Sequence, residues 1–131
     1  MKTTLYPAIF HTEDTGYSVY IPDVQGCVSE GNTLEEAYEN IFDALGLCLE
    51  YLQDNGLEIP EASHPAKIKV GKDEFVAFVQ FDPLQYAKKH NTKAVKKTLS
   101  IPSWLNELAE EQNVNFSGVL QSALKDKLGV N

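Results

Sequence analysis

The chain contains no arginine, one methionine and one tryptophan among its 131 residues. Its two cysteines, Cys27 and Cys48, are too few for a disulfide framework, and nothing in the sequence directs them to an oxidising compartment. They read as two buried, reduced thiols. The three histidines, His11, His64 and His90, stand apart from one another and from both cysteines, so no pair has the spacing of a metal site. No apolar run approaches the roughly 20 residues that span a bilayer. The opening MKTTLYPAIFHTED lacks the apolar core of a signal peptide. The expectation is a soluble, cytoplasmic protein with no metal, no cofactor and no membrane partner.

What is present is ordinary globular material, 43% hydrophobic and 23% charged, in a length that suits one domain or two small ones. The net charge of −8 is divided unequally. Residues 1–86 hold four lysines and fifteen acids, a balance of −11, whereas residues 87–131 hold seven lysines and four acids, a balance of +3. Five lysines, Lys88, Lys89, Lys93, Lys96 and Lys97, fall within ten positions. Such asymmetry suggests two modules with different partners. The acidic part repels nucleic acid and the basic stretch attracts it. A solvated charged surface without a partner would carry the same charges.

The first module opens with two alternating segments, Thr4–Phe10 and Tyr17–Ile21, around the turn Glu13-Asp14-Thr15-Gly16. A short third strand is expected over Gly26–Ser29. Thr33 and Glu36 form a capping box at the start of a helix whose apolar positions are Leu34, Ala37, Tyr38, Ile41, Leu45, Cys48 and Leu52, closed by Asn55-Gly56. A second apolar row, Phe42, Leu47, Leu49 and Tyr51, widens the stripe beyond what one sheet needs. Gly46 in mid-helix costs roughly 1 kcal/mol against alanine, which the close approach of another backbone would justify. Residues 57–66 read as a loop. Lys67–Val70 and Glu74–Asp82 read as extended, the second apolar on both faces as a central strand would be. Asp82-Pro83 starts a short helical turn.

The second module presents a physical difficulty. Ala94–Pro102 reads as one strand, residues 103–112 as a helix with Leu105, Leu108 and Ala109 on one face, and Asn115 as the cap of a last helix. That helix has an amphipathic face of Phe116, Val119, Leu120, Ala123, Leu124 and Leu128 and ends at Gly129. One strand and two helices in under 40 residues do not make a stable core, and a lone strand leaves its backbone groups unpaired. Two copies remove both defects by pairing their strands antiparallel, with Leu99 and Ile101 against the helices and Lys96, Thr98 and Ser100 facing out. A two-stranded ribbon of this kind fits the DNA major groove. The alternative is that residues 94–101 add a strand to the first sheet.

Val95–Pro102, the two short helices and the Asn115-Phe116-Ser117 junction resemble a ribbon-helix-helix DNA-binding domain. The resemblance implies base contacts by Lys96, Thr98 and Ser100, phosphate contacts by Asn115, Phe116 and Ser117 with Lys93 and Lys97 beside them, and a dimer core of Leu99, Ile101, Leu105, Leu108, Val119 and Leu120. A helix start with free N–H groups favours an anion, in agreement. Gly16-Tyr17-Ser18-Val19, Pro22-Asp23, Gly26-Cys27, Gly31 and Thr33-Leu34-Glu35-Glu36-Ala37 resemble the HicB antitoxin family in order. That resemblance agrees with the α+β fold read from the elements of the first module, a small antiparallel sheet with one main helix. It implies a partial RNase H-like domain (residues 1–83) that neutralises a HicA-type toxin, a small basic ribonuclease that uses a histidine. Residues 84–93 would be a linker with a short helical turn, and residues 94–131 the dimerising DNA-binding domain that represses the operon. The implied partners are the toxin, operator DNA and a second copy, with a tetramer or a larger toxin complex as further assemblies. Without arginine for bidentate guanine recognition, one ribbon discriminates poorly, and two ribbons on adjacent half-sites would compensate.

A nuclease would need carboxylates converging on metal ions. Asp23, Glu36, Glu39 and Asp43 are the candidates, and the last three share a helical face. The first strand offers only Tyr6, Ala8 and Phe10 on its alternating face, so the expectation is a protein without catalysis. The −11 charge fits inhibition of a basic toxin better. The sequence leaves the sheet face, the helix over 33–54 and the loop 57–66 open as the contact surface. It also leaves open a stand-alone repressor whose acidic domain binds a ligand or oligomerises. Tyr17, Tyr20, Tyr38 and Trp104 read as core or dimer contacts.

Overall fold

The computed structural model describes residues 2–131. The chain divides into two compact units, one ending at Lys93 and the other spanning Ala94–Asn131. The first is an α+β layer: a four-stranded antiparallel sheet in the order β3-β2-β1-β4, covered on one face by a long helix. Strands β1 (Thr4–Thr12), β2 (Tyr17–Tyr20) and β3 (Val28–Gly31) form a meander, α1 (Leu34–Asp54) crosses the sheet, and β4 (Glu74–Phe81) returns beside β1. Gly16 closes the first turn at φ 86°, where a side chain would collide with the Gly31 carbonyl.

Alternation decides which residues reach the core. Tyr6, Ala8 and Phe10 of β1, Val19 of β2, and Val79 and Phe81 of β4 point at α1 and are buried. Ala37, Ile41, Leu45 and Leu49 answer them, one per turn along the helix. Each large apolar side chain buried this way stabilises by about 1.5–3 kcal/mol. Thr33 caps the helix, its hydroxyl accepting the Glu36 N–H at 3.1 Å.

Three expectations are corrected. β4 is an edge strand, and β1 is the central one, buried from Tyr6 to Phe10. The apolar outer side of β4, Val76 and Phe78, lies instead on the sheet face away from α1, in register with Ile9 and Pro7. Pro7 is tolerated in β1 because pairing to β2 begins only at Ile9, leaving that side without a ladder partner. Second, Lys67–Val70 is not a strand: Pro65–Lys67 forms a short 3-10 turn, and the described residues offer Lys69 and Val70 no ladder partner. Third, the neighbour that requires Gly46 is a ring rather than a backbone, since Tyr86 lies where a Cβ would stand. The short helical turn expected at Asp82-Pro83 is the helix α2 (Pro83–His90), capped by Asp82, which runs through most of residues 84–93 and packs on α1.

Two contacts fasten α2. The Tyr86 ring sits among Phe42, Phe81 and His90, at centroid distances of 6.4, 5.6 and 4.4 Å. Lys89 Nζ donates to both Asp43 carboxylate oxygens at 2.9 and 3.0 Å, and His90 Nε2 lies 3.3 Å from Oδ1. Burial acts to raise the Asp43 carboxyl, but the hydrogen bonds from Lys89 and His90 outweigh it and hold the group below its ordinary value. Burial also raises the Tyr86 hydroxyl, with Glu50 adding to it.

The second unit contains α3 (Ser103–Glu111) and α4 (Phe116–Leu128). Residues 91–102 hold neither helix nor strand, where a strand over 94–102 is expected from the pattern. A strand exists by its ladder partner, and the described residues supply none there.

Two outcomes check this packing. Gly46→Ala gains about 1 kcal/mol of helix propensity but drives a methyl into a confined ring, an overpacking that costs about 1–3 kcal/mol. A Tm lowered by a few degrees is expected, and an unchanged or raised Tm would mean that Tyr86 swings out freely. Asp43 has a depressed folded pKa, so its contribution is complete above the unfolded value near 3.9 and fades as pH falls through the folded one. Urea midpoints of wild type and Asp43→Asn should therefore differ at about pH 6 and converge towards about pH 3.

Candidate functional site

Within Ala94–Asn131, Pro102 sets the boundary before α3, and Asn113 takes φ 55° in the turn between the helices. Asn115 Oδ1 accepts the Gly118 N–H at 3.1 Å and its carbonyl accepts the Val119 N–H at 3.0 Å. A Cβ on Gly118 would press on the Asn115 carboxamide, so that glycine keeps the cap seated. Gly129, at φ 69°, closes α4 in the left-handed conformation. What this unit lacks is an interior. Neither α3 nor α4 has a buried residue. Leu99, Ile101, Leu105, Leu108 and Val119, all expected in a dimer core, are 60, 47, 40, 47 and 58% exposed, and only Leu120 is half-buried. Trp104, Phe116, Leu124 and Leu128 are exposed as well.

The expected base-contacting residues, Lys96, Thr98 and Ser100, are exposed in the irregular stretch before Pro102. In a strand, alternation would put them opposite Leu99 and Ile101. Lys93 and Lys97 are exposed in the same stretch. At the start of α4 the Asn115 side chain serves as the cap, which leaves the Phe116 and Ser117 N–H groups to meet an anion. Lys89, counted in the basic run by sequence, is instead committed to Asp43, 46 positions away. No local signal could have revealed that pair.

The first unit does not gather the carboxylates considered for catalysis. Asp23 is held by Ser63, which donates its backbone N–H at 2.8 Å and its hydroxyl to the two carboxylate oxygens. Asp43 belongs to Lys89 and His90, and Glu36 is at the opposite end of α1 from the Asp23 loop. Among the described residues no three His, Cys, Asp or Glu side chains are grouped to hold a metal ion. Cys27 is buried and Cys48 half-buried, both free, and burial beside the Cys48 thiol pushes Cys27 up to about 12. A thiol so raised is almost wholly protonated near neutrality and a poor nucleophile.

One surface feature was not legible in the sequence. A cleft of about 730 Å³ lies between α1 and the chain that follows it, lined by Asp23, Val24, Cys48, Leu52, Leu57 and Glu58 among others. Leu47 and Tyr51, four residues apart on α1, stand at its edge and are 66 and 62% exposed. Among the described residues only Glu13, Asp43 and Glu74 pair with a basic side chain. The remaining acids of α1 (Glu35, Glu36, Glu39, Glu50 and Asp54) meet no cation.

A family model described as the HicB-like antitoxin of bacterial toxin-antitoxin systems matches residues 6–124. The Photorhabdus laumondii protein Antitoxin HicB 2 is 34% identical over 62 residues, 47% of this chain and 45% of that one. The chain spans about half the length of curated relatives it matches, 45% of this one and 56% of another. A chain of a toxin-antitoxin complex from Streptococcus pneumoniae is similar in structure, with TM-score 0.59 and 26% identity over 95% of this chain and 99% of that one. A chain of a HicA3 and HicB3 toxin-antitoxin complex matches with TM-score 0.53 and 26% identity, covering 61% of this chain and all of that one. With a family model that runs from β1 into α4, this chain belongs to the HicB-like antitoxins of bacterial toxin-antitoxin systems.

Proposed function

We propose that this antitoxin works through two surfaces, binding a HicA-type mRNA-cleaving toxin directly and repressing its own operon through a β-ribbon in the DNA major groove. Toxin binding is supported by the solved HicA3–HicB3 complex, one chain of which resembles this one. It is supported too by an acidic first unit whose carboxylates are mostly without cations, since a field of one sign speeds encounter with a basic protein.

The observation that carries the second surface is the missing interior of Ala94–Asn131. Two amphipathic helices with no buried residue gain a core when a second copy supplies the facing half. The residues before Pro102 gain a ladder partner in the same step. Dimerisation then brings two copies of Lys96, Thr98 and Ser100 side by side on one ribbon, with the Phe116 and Ser117 N–H groups for flanking phosphates. The assembly is a homodimer or a multiple of one, acting in the cytoplasm. It has no catalysis of its own and inhibits by occupancy. Among the described residues no helix is long and apolar enough to cross a membrane.

Separation of the two functions tests this reading. In a host where the toxin reading frame beside this gene is induced, the wild-type chain should relieve growth arrest. Lys96→Ala combined with Thr98→Ala should relieve it equally while weakening operator binding by about 30-fold or more, taking each base contact as about 1–3 kcal/mol. Absence of toxicity, or toxicity without relief, would favour the stand-alone repressor. Loss of protection by a folded double variant would overturn the division of labour. Footprinting should show two adjacent half-sites, because a ribbon without arginine reads few bases strongly.

A further inference from the structure

We infer that the cleft beside α1, with the Leu47–Tyr51 ridge at its edge, is the toxin's docking site: an apolar side chain of the basic partner enters the cleft while its cations face the acids around it. The inference rests on the toxin-binding reading above and assigns it a place.

The chemistry of the surface selects the occupant. Leu47, Tyr51 and Leu57 are half or more exposed and adjoin Val24 and Leu52, so the patch is apolar and partly concave. A small apolar molecule filling the cleft would leave the ridge in water, whereas a protein covers both. Acids flank the ridge. Asp43, Glu50 and Asp54 follow at i, i+7 and i+11 along α1, and Glu58 lines the cleft itself. Asp23 is engaged by Ser63 and Asp43 by Lys89 and His90, which leaves Glu50, Asp54 and Glu58 without a cation among the described residues. The helix carries no lysine at all. A second copy would bring the same acid row and be repelled, and nucleic acid would bring phosphates. A basic protein with an exposed apolar side chain satisfies both features.

The outer face of the sheet is the competing surface. Leu5, Tyr20, Val28 and Phe78 are exposed there, but the acids at its end, Glu13 and Glu74, already face His11. Glu30 adds one exposed acid without a cation there among the described residues, against Glu50, Asp54 and Glu58 around the cleft.

Full-length chain should be titrated against the protein encoded by the adjacent reading frame, produced with its catalytic histidine replaced. Leu47→Ala with Tyr51→Ala should weaken binding on the order of hundredfold, as for two central anchors. Asp54→Asn with Glu58→Gln, a change confined to solvated groups, should slow association about tenfold at low salt and flatten its salt dependence. Leu5→Ala with Phe78→Ala should stay within about threefold of wild type. Thermal melts of every variant separate lost docking from lost folding. No binding by the wild-type chain would overturn both the toxin-binding reading and this site. Wild-type binding with both cleft variants unaffected would overturn the site alone, as would a loss confined to the sheet-face variant.

Discussion

Assembly of this molecule turns on an imbalance in its last 38 residues: two amphipathic helices and the segment before them have no interior to bury their apolar faces. The caps there are in order, with Asn115 and Gly129 closing α4 at both ends. Caps contribute about 1 kcal/mol each, however, and the ordering entropy of such a unit is tens of kcal/mol. Only burial on a larger scale offsets that, and in the proposed dimer it comes from a second copy. The same pairing would make the nucleic-acid surface, so folding, assembly and DNA reading become one event.

The first unit is built the other way. It is complete in one chain, with α1 seated on β1 through a stripe repeating every four residues and α2 fastened by the Tyr86 ring and Asp43. Having satisfied its core, it leaves most of its acids without a cation among the described residues. That combination suits an inhibitor, which needs a rigid surface with a field rather than a reactive group. The one strongly perturbed thiol, Cys27, is raised rather than lowered, in keeping with a structural role.

Local signals were legible and long-range ones were not. The turn at Gly16, the Thr33 cap, the periodicity of α1 and the Asp82 and Asn115 caps follow from residues a few positions apart, and each stands where the pattern puts it. β4 misled because apolarity on both faces signals burial of both faces, whereas its outer face belongs to an open apolar patch on an edge strand. Gly46 marked a close approach, but the approaching Tyr86 lies 40 residues on. Lys89 looked like part of a basic run until Asp43 claimed it. The cleft escaped notice because its walls come from α1, the loop after β2 and the chain beyond residue 56, and Leu47 and Tyr51 read equally well as core.

The most direct measurement is the association state of the full-length chain against concentration, by sedimentation, joined to urea unfolding over the same range. If Ala94–Asn131 acquires its core from a second copy, the smallest folded species is a dimer. Its unfolding midpoint should then rise with protein concentration. A folded monomer at micromolar concentration, with both helices intact and a midpoint independent of concentration, would contradict the account.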